Sequence, residues 1–433
     1  MPIIQVGIDD TDSKAGMCTT YVGAVAIDRL KSSGAEIVGH PKLIRLNPNW
    51  KLKTRGNCAV SFAFRAPDSI VPELKKTVLG TVKELAELSV ETTNPGVVFL
   101  NGGRTPKKLR EFSKKVIQDV VELSDAEHMA RDVGAEAHKF KLGRGIIGAL
   151  AAIGNPLDND WTFELVAYRI PEHRGGKRRV DPASVVEMDA KTRPETFDNL
   201  DPATGEIRIT PHTPCPILYG IRGETPGAVE RAHRIVKASE PIERIIVYKT
   251  NQGTDEHLVP AKITEARPYL SVIVDGEVCR APKIIPGGHV IFRLRENGGE
   301  IDCAAYEPTR QFREVVKRLA VRDRVRAYGG IKEKPELPLT VNLEKIEVLE
   351  VARQFRGENP ACPSCGKHMK SEGRSKGYAC KRCGIKDPHG TAKKTEVARD
   401  IGTGSFEVPP RARRHLARPL SRGIRAKLPP REF

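Results

Sequence analysis

The chain has 433 residues, 39% of them hydrophobic and only 5% aromatic, with a formal net charge of +17. That length fits roughly two to four domains, and no run of about 18 apolar residues exists to span a membrane. The N-terminus, MPIIQVGIDD, lacks the basic and apolar regions of a secretory signal, so a cytoplasmic location is expected.

Residues 3–13, IIQVGIDDTDS, open with Ile4, Val6 and Ile8 alternating at a period of two, which predicts a strand over 3–9. A helix over about 19–33 follows, then strands near 36–45 and 57–65, a helix over about 69–89 and a strand at 96–100. The order β-α-β-β-α-β is that of a ferredoxin-like split unit. Residues 106–250 read as a second α/β region. It has helices over 107–123 and 125–137, a strand at 161–170, a loop-rich stretch at 171–210, a helix over 226–238 and a strand at 244–250. The loop HRGGKRR at 173–179 is read as an RNA contact, with a merely exposed loop as the alternative. The glycine-rich GRGIIGALAAIG, from 143, lacks the spacing and acidic partner of a dinucleotide-binding loop.

Residues 255–350 are nearly all short strands, with a helix near 308–319 between the third and fourth. Three strands, a helix and two strands is the order of an OB-fold barrel, and another small β-barrel with a packing helix is the alternative. Cys362 and Cys365 form one CxxC and Cys380 and Cys383 another, 14 residues apart, which predicts a four-thiolate zinc ribbon. His368 is read as an exposed loop residue. Nine cysteines, five of them scattered singly, argue against a disulfide framework. Residues 351–433 carry 20 Lys and Arg against 7 Asp and Glu, so this final fifth holds +13 of the net charge. A polyanionic partner suits it, and a solvated basic tail has the same composition.

Asp9, Asp10 and Asp12 are the candidates for catalysis, because like charges at one strand end repel unless a cation or protons compensate them. Hard carboxylate oxygens suit magnesium. In GMCTTYVG, Thr19 and Thr20 lie at a helix N-terminus, where free N–H groups favour a phosphate. The combination points to phosphoryl transfer from a nucleotide; threonines that only cap the helix and aspartates that only make a turn are the structural alternative. In WKLKTRGN, residues 50–57, Lys51, Lys53 and Arg55 are placed to neutralise phosphate oxygens, and Gly56 to let the backbone approach closely.

Taken in order, VGIDDTDS…GMCTTY, WKLKTRGN, GRGIIGALAAIG, IDCAAYEPT, the paired CxxC and FEVPPRARRHLARPL resemble the archaeal tRNA(Ile) 2-agmatinylcytidine synthetase family, TiaS. WKLKTRGN carries extra residues against the usual compact form. The resemblance implies a multidomain α/β (α+β) protein. An N-terminal kinase-like domain would span 1–115, interleaving with a ferredoxin-like domain at 116–250. An OB-fold at 255–350, a zinc ribbon at 355–400 and a basic C-terminal tail at 401–433 would follow.

It further implies an ATP-dependent ligase that joins agmatine to C2 of the wobble cytidine in tRNA(Ile) with a CAU anticodon. The C2 oxygen is phosphorylated, the agmatine amine displaces phosphate, and AMP is released. By the same resemblance Asp9, Asp10 and Asp12 hold the metal-bound triphosphate, with Asp9 and Asp10 on magnesium, and Thr19 is the phosphorylated threonine. Thr11, Thr20, Arg55, Gly56 and Asn57 are expected at ATP, and Gly143, Arg144, Gly145 and Gly220 around agmatine. ATP, magnesium and zinc are the expected cofactors, tRNA and agmatine the partners, with no membrane. The target base must be splayed out of the anticodon loop. A non-catalytic OB-fold and zinc-ribbon RNA-binding protein, and a magnesium-dependent nuclease, are the competing readings.

Overall fold

The computed structural model describes residues 1–333 and 336–423. The expected β-α-β-β-α-β succession is β1 (Ile3–Asp9), α1 (Thr19–Ser32), β2 (Glu36–Arg45), β3 (Cys58–Arg65), α2 (Val71–Leu85) and β4 (Gly96–Asn101). Its strands lie side by side as β4-β1-β3-β2, antiparallel throughout. Ile4, Val6 and Ile8 pack into one core with α1 and α2. The opposite face of β1 is also covered, which the alternation alone did not require.

That second cover comes from the next segment: α3 (Lys107–Gln118), α4 (Leu123–Asp132), β5 (Glu136–Lys139) and α5 (Ile146–Gly154). β5 extends the sheet beside β4, and α5 lies across β1 and β3. The boundary expected at 115/116 therefore falls inside a packed unit, because the strand and helices beyond it bury themselves on the first four strands. GRGIIGALAAIG is the turn into α5 and the helix itself, and its glycines serve packing. A Cβ on Gly145 would come 2.4 Å from the Gly96 nitrogen, and one on Gly154 2.4 Å from the Leu109 carbonyl oxygen.

The chain continues through β6 (Thr162–Arg169), α6 (Pro182–Thr192), β7 (Thr196–Phe197), β8 (Ile217–Gly223), α7 (Pro226–Ile235) and β9 (Ile242–Thr250). β9 pairs in parallel with β2, so the two α/β regions fuse into one nine-stranded sheet, β5-β4-β1-β3-β2-β9-β6-β8-β7. α6 corrects the loop reading of 171–210. Asp181 caps it by accepting from Ala183 N at 3.0 Å, with Pro182 at the first turn. The basic loop before it turns inward: Arg178 donates to the carbonyls of Ile217, Thr213 and Cys215, and Arg174 pairs with Glu243 at 3.1 Å.

After β10 (Leu258–Pro260) come β11 (Ser271–Ile285), β12 (His289–Glu296), β13 (Gly299–Ala305), α8 (Gln311–Lys317), β14 (Arg324–Ile331) and β15 (Thr340–Glu350). Pairing runs β11-β12-β13-β15-β14 and back to β11, a closed five-stranded barrel around Val274, Phe292, Val325 and Ile346. The ribbon follows. Its outer pair is β16 (Gln354–Glu358) with β20 (Lys393–Val397), and its inner strands are β17 (Lys370–Ser371), β18 (Tyr378–Ala379) and β19 (Lys386–Asp387).

Residues 401–423, expected as a basic tail, are a packed part of the body. β21 (Gly404–Glu407) adds to β15 of the barrel, and the chain then threads back along the nine-stranded sheet. Its arginines meet carboxylates: Arg411 faces Asp201 at 3.4 Å, Arg413 Asp198 at 2.6 Å, Arg418 Asp160 at 3.0 Å and Arg422 Glu224 at 2.6 Å. Acidic partners within the fold thus neutralise charge that the composition suggested was free for a polyanion. Residues 424–433 of the expected tail lie outside the described residues.

The Arg422 guanidinium, 3% exposed, is the cation that Asp160 and Glu224 share, and its removal leaves Asp160 to Arg418. Arg422→Ala is expected to cost about 3–5 kcal/mol in denaturant unfolding of the unit it closes. Glu344 gives a pH dependence of definite sign. Burial favours its neutral form, but His257 at 2.9 Å, Arg414 and Lys345 outweigh that and hold its carboxyl at about 2 rather than 4.5. Its contribution is therefore full above pH 4.5 and lost as pH falls from there toward 2. In Glu344→Gln, the acid limb of thermal stability measured against pH should flatten in that window.

Candidate active site

β1 ends at Asp9, and Asp10 takes a left-handed conformation with φ of 57°, one that Asp tolerates better than most residues. The turn sends three carboxylates in different directions within one pocket. Asp10 Oδ2 accepts from Arg144 Nη2 at 2.9 Å and from Asn94 N at 3.3 Å. Asp12 Oδ2 accepts from Arg55 Nε at 3.0 Å. Asp9 is pressed under α5, where Gly148 leaves space for it; a Cβ there would sit 1.9 Å from Asp9 Oδ2.

Burial raises the affinity of all three carboxyls for protons. Asp9 is pushed well above the ordinary range by burial and then by the charges of Asp10 and Asp12. For Asp10 and Asp12 burial again leads, opposed by Arg144 and Arg55 respectively. Asp10 and Asp12 keep separate partners, and among the described residues the three carboxylates are not gathered into a metal-holding group as the ribbon cysteines are.

The N-cap of α1 is Cys18, which makes no side-chain capping bond, and no acidic residue sits in the helix's first turn. Thr19 and Thr20 therefore do not cap the helix. Thr11 Oγ1 donates to Thr19 Oγ1 at 3.1 Å, and Thr20 Oγ1 lies 3.1 Å from Cys18 Sγ. Burial, followed by Cys215 and Asp12, pushes the Cys18 thiol up to about 11, so it stays protonated at neutral pH.

These groups border a cavity of 690 Å³ between the two halves of the nine-stranded sheet. Asp9, Asp10, Asp12, Thr20, Arg55, Gly56, Asn57, Arg144 and Gly220 line it. Thr11 and Thr19 are buried behind its wall, and Gly143 and Gly145 shape the turn into α5. Gly56 does not leave open space, because Arg45 Nη1 lies 2.3 Å and the His415 ring 3.5 Å from where its Cβ would be. Gly220 likewise makes room for a side chain, Glu164, 2.7 Å from its Cβ position.

The far wall was not legible beforehand: Arg45 from the end of β2, Glu164 from β6, Arg222 from β8, Asp198 from the loop after β7, and His415 from the returning C-terminal segment. Only the fold brings these separate segments together. His415 lay inside RARRHL, where basic neighbours suggested a tail.

The ribbon presents Cys362, Cys365, Cys380 and Cys383 with all four sulfurs within 4.8 Å of one another. Sulfurs on a tetrahedral zinc at about 2.3 Å lie within that spread, so the set fits the metal. Two matching turns build it: Gly366 N donates to Cys362 O and Gly384 N to Cys380 O, both at 2.9 Å, and both glycines have φ of 69°. His368 instead approaches Asn359 O at 2.9 Å and stays exposed.

Family models match in three places: the TiaS TCKD domain over residues 5–143, the TiaS FLD domain over 143–257 and the TiaS C-terminal zinc ribbon domain over 359–401. An isoleucine-tRNA 2-agmatinylcytidine synthetase TiaS of Pyrococcus horikoshii is 48% identical over 419 residues, covering 96% of this chain and 97% of the relative. The Methanosarcina mazei protein of the same name is 44% identical over 427 residues, covering 96% and 97%. Among solved structures, a complex of TiaS with its isoleucine tRNA and ATP superposes with a TM-score of 0.90 at 41% identity, covering 98% of this chain and 99% of the other. A complex of TiaS with the same tRNA, AMPCPP and agmatine does so with 0.87 at 39%, covering 99% of each.

One zinc per chain is expected by elemental analysis. Cys383→Ser should lower that content and render the ribbon protease-sensitive, while the barrel and the nine-stranded sheet keep their melting transition, since structural zinc supplies folding energy to its own small module.

Proposed function

The chain belongs to the TiaS family, and from that premise we propose how its cavity carries out the family's reaction. It is an ATP-dependent ligase that modifies an isoleucine tRNA with agmatine. The finer reading is that the C2 oxygen of the wobble cytidine in the CAU anticodon takes one of ATP's two terminal phosphoryl groups while water takes the other, leaving AMP. The primary amine of agmatine then forms the C2–N bond, the C2–O bond breaks, phosphate leaves with the oxygen, and the amine gives up a proton.

The observation that carries this reading is the buried trio Asp9, Asp10 and Asp12 in one cavity, framed by Arg55 and Arg144 beside an uncapped helix N-terminus. Phosphoryl transfer needs positioning and charge neutralisation above all. Asp9 and Asp10 would hold magnesium, which supplies positive charge to the triphosphate. Arg55, Gly56, Asn57, Thr11 and Thr20 would orient the phosphates, with Thr19 the hydroxyl able to receive one. Gly143, Arg144, Gly145 and Gly220 would border the agmatine, whose cationic ends suit Glu164, 7% exposed, and Asp198 on the facing wall.

We read the closed barrel, with its helix between the third and fourth strands, as an OB-fold that grips RNA together with the ribbon. We read residues 5–143 as a kinase-like unit and 143–257 as a ferredoxin-like one. No helix among the described residues is long and apolar enough to cross a membrane, and we assign the protein to the cytoplasm.

Incubation with labelled ATP, magnesium, agmatine and an unmodified transcript of the CAU-anticodon tRNA(Ile) is expected to yield AMP and a cytidine heavier by one agmatine minus water. RNA cleavage without ATP would instead favour the nuclease, and binding without turnover the RNA-binding module. Asp10→Asn removes a negative charge aimed at the triphosphate's cation, and a loss of at least about a hundredfold in kcat is expected. Gly148→Ala displaces Asp9 by its methyl group, and a misplacement of about 1 Å at such a centre should cost on the order of a hundredfold. Full turnover in Thr19→Val would show that phosphorylation there is not an obligate step.

A further inference from the structure

Arg45 is buried to 9% exposure on the cavity wall; its charge reaches Asp12, but among the described residues no carboxylate comes within ion-pair distance of it. Asn251 clamps its backbone from both sides, at 2.8 and 3.0 Å, which fixes the side chain's origin. Its guanidinium reaches the Gly56 carbonyl at 3.4 Å, and Nε has no partner. An arginine has only donors to offer, and a buried charge of this kind is costly without an anion.

Its neighbours deepen the imbalance. Lys53 lines the same wall, donating to the Pro48 carbonyl and without a carboxylate partner among the described residues, its amine pushed down to about 8 by burial and by Arg414 and Lys332. His415 Nδ1 accepts from Arg222 Nη2 at 2.7 Å, so the ring proton sits on Nε2. Arg45, burial, Arg222 and Lys53 together hold this histidine well below its ordinary range, so it stays a neutral donor. Arg222 itself lies 3.8 Å from Glu164 and 3.9 Å from Asp198, beyond hydrogen-bond distance of both.

We propose that Arg45, Lys53 and His415 form a phosphate subsite that holds the RNA backbone beside the target nucleotide. The inference rests on the tRNA-modifying reading given above and adds residues to it. Position argues for RNA rather than for the nucleotide cofactor. The loop bearing Lys53 is bonded to the barrel: Asn47 Nδ2 donates to Tyr269 O at 3.0 Å, and Asn49 Nδ2 to Leu270 O at 2.9 Å. Arg414, next to His415, donates to Asn49 Oδ1 at 2.6 Å. The subsite therefore stands at the seam between barrel and sheet. A nucleic acid lying on the barrel has to cross that seam to deliver a base to Asp9, Asp10 and Asp12. Phosphate contacts of this kind set register without reading sequence.

The test is a cycle between protein and substrate. Agmatine incorporation is measured with wild-type protein and Arg45→Met, each on the natural CAU-anticodon tRNA(Ile) and on tRNAs carrying one neutral methylphosphonate linkage 5′ or 3′ of the wobble cytidine. One neutral linkage should raise the wild-type KM for tRNA about tenfold to a hundredfold, the worth of a charge-assisted contact. The same linkage should then change Arg45→Met less than about twofold, and Arg45→Lys should recover part of the loss.

Full additivity of the two changes, or a wild-type enzyme indifferent to both neutral linkages, would overturn the subsite. The second arm does not depend on any variant folding. A fall in ATP affinity with tRNA KM unchanged would assign the wall to the nucleotide's phosphates and overturn the RNA assignment. Failure of the functional reading is distinct: wild-type protein would incorporate no agmatine on natural tRNA at all.

Discussion

Three carboxylates share one strand end inside the protein, and their mutual repulsion is the constraint on which the rest of the structure depends. Left alone, such a cluster would disperse into solvent or take up protons. Here it is held by geometry supplied from elsewhere. Arg144 and Asn94 fix Asp10, Arg55 fixes Asp12, and α5 closes over Asp9 at a distance that Gly148 alone permits. Each restraint comes from a different part of the chain, so the site exists only once the strands carrying it are assembled.

The C-terminal segment shows the same dependence from the opposite side. It leaves the ribbon, adds β21 to the barrel and returns to roof the cavity with His415. Backbone bonds from Gly253 N to His415 O and from Asp255 N to Leu416 O, both 2.8 Å, seat it against the link between sheet and barrel. A stretch of sequence with almost no apolar periodicity is thereby fixed through ion pairs and main-chain bonds. It couples the barrel, the ribbon and the cavity in one body.

Local pattern was legible wherever it had a period. The strand at residues 3–9, the helix from Thr19 and the paired CxxC turns all stand where spacing placed them, because each rests on neighbours in sequence. α6 carried its own signal in Asp181 and Pro182, an N-cap followed by a first-turn proline, but the glycines and charges around it suggested loop. The fused sheet carried none: the pairing of β9 with β2 joins residues about two hundred positions apart through only Lys42, Leu43 and their partners. The far wall of the cavity was illegible for the same reason, since Glu164, Arg222 and His415 acquire a shared role only through that pairing.

Charge is where composition misled most, and the reason is physical. A net excess says how many cations a segment has, not how many are already matched. Arg411, Arg413, Arg418 and Arg422 sit in the most basic region of the sequence, yet each faces an aspartate or glutamate of the body. Arg45 ends a strand that is apolar just before it, at Leu43 and Ile44, yet among the described residues it forms no ion pair. Affinity for a polyanion follows the unmatched cations rather than the dense ones. Among the described residues, Arg45 and Lys53 stand without an ion pair at the cavity wall, between the barrel and the three aspartates, while Lys367, Arg374, Lys376 and Arg382 of the ribbon are exposed and equally unmatched.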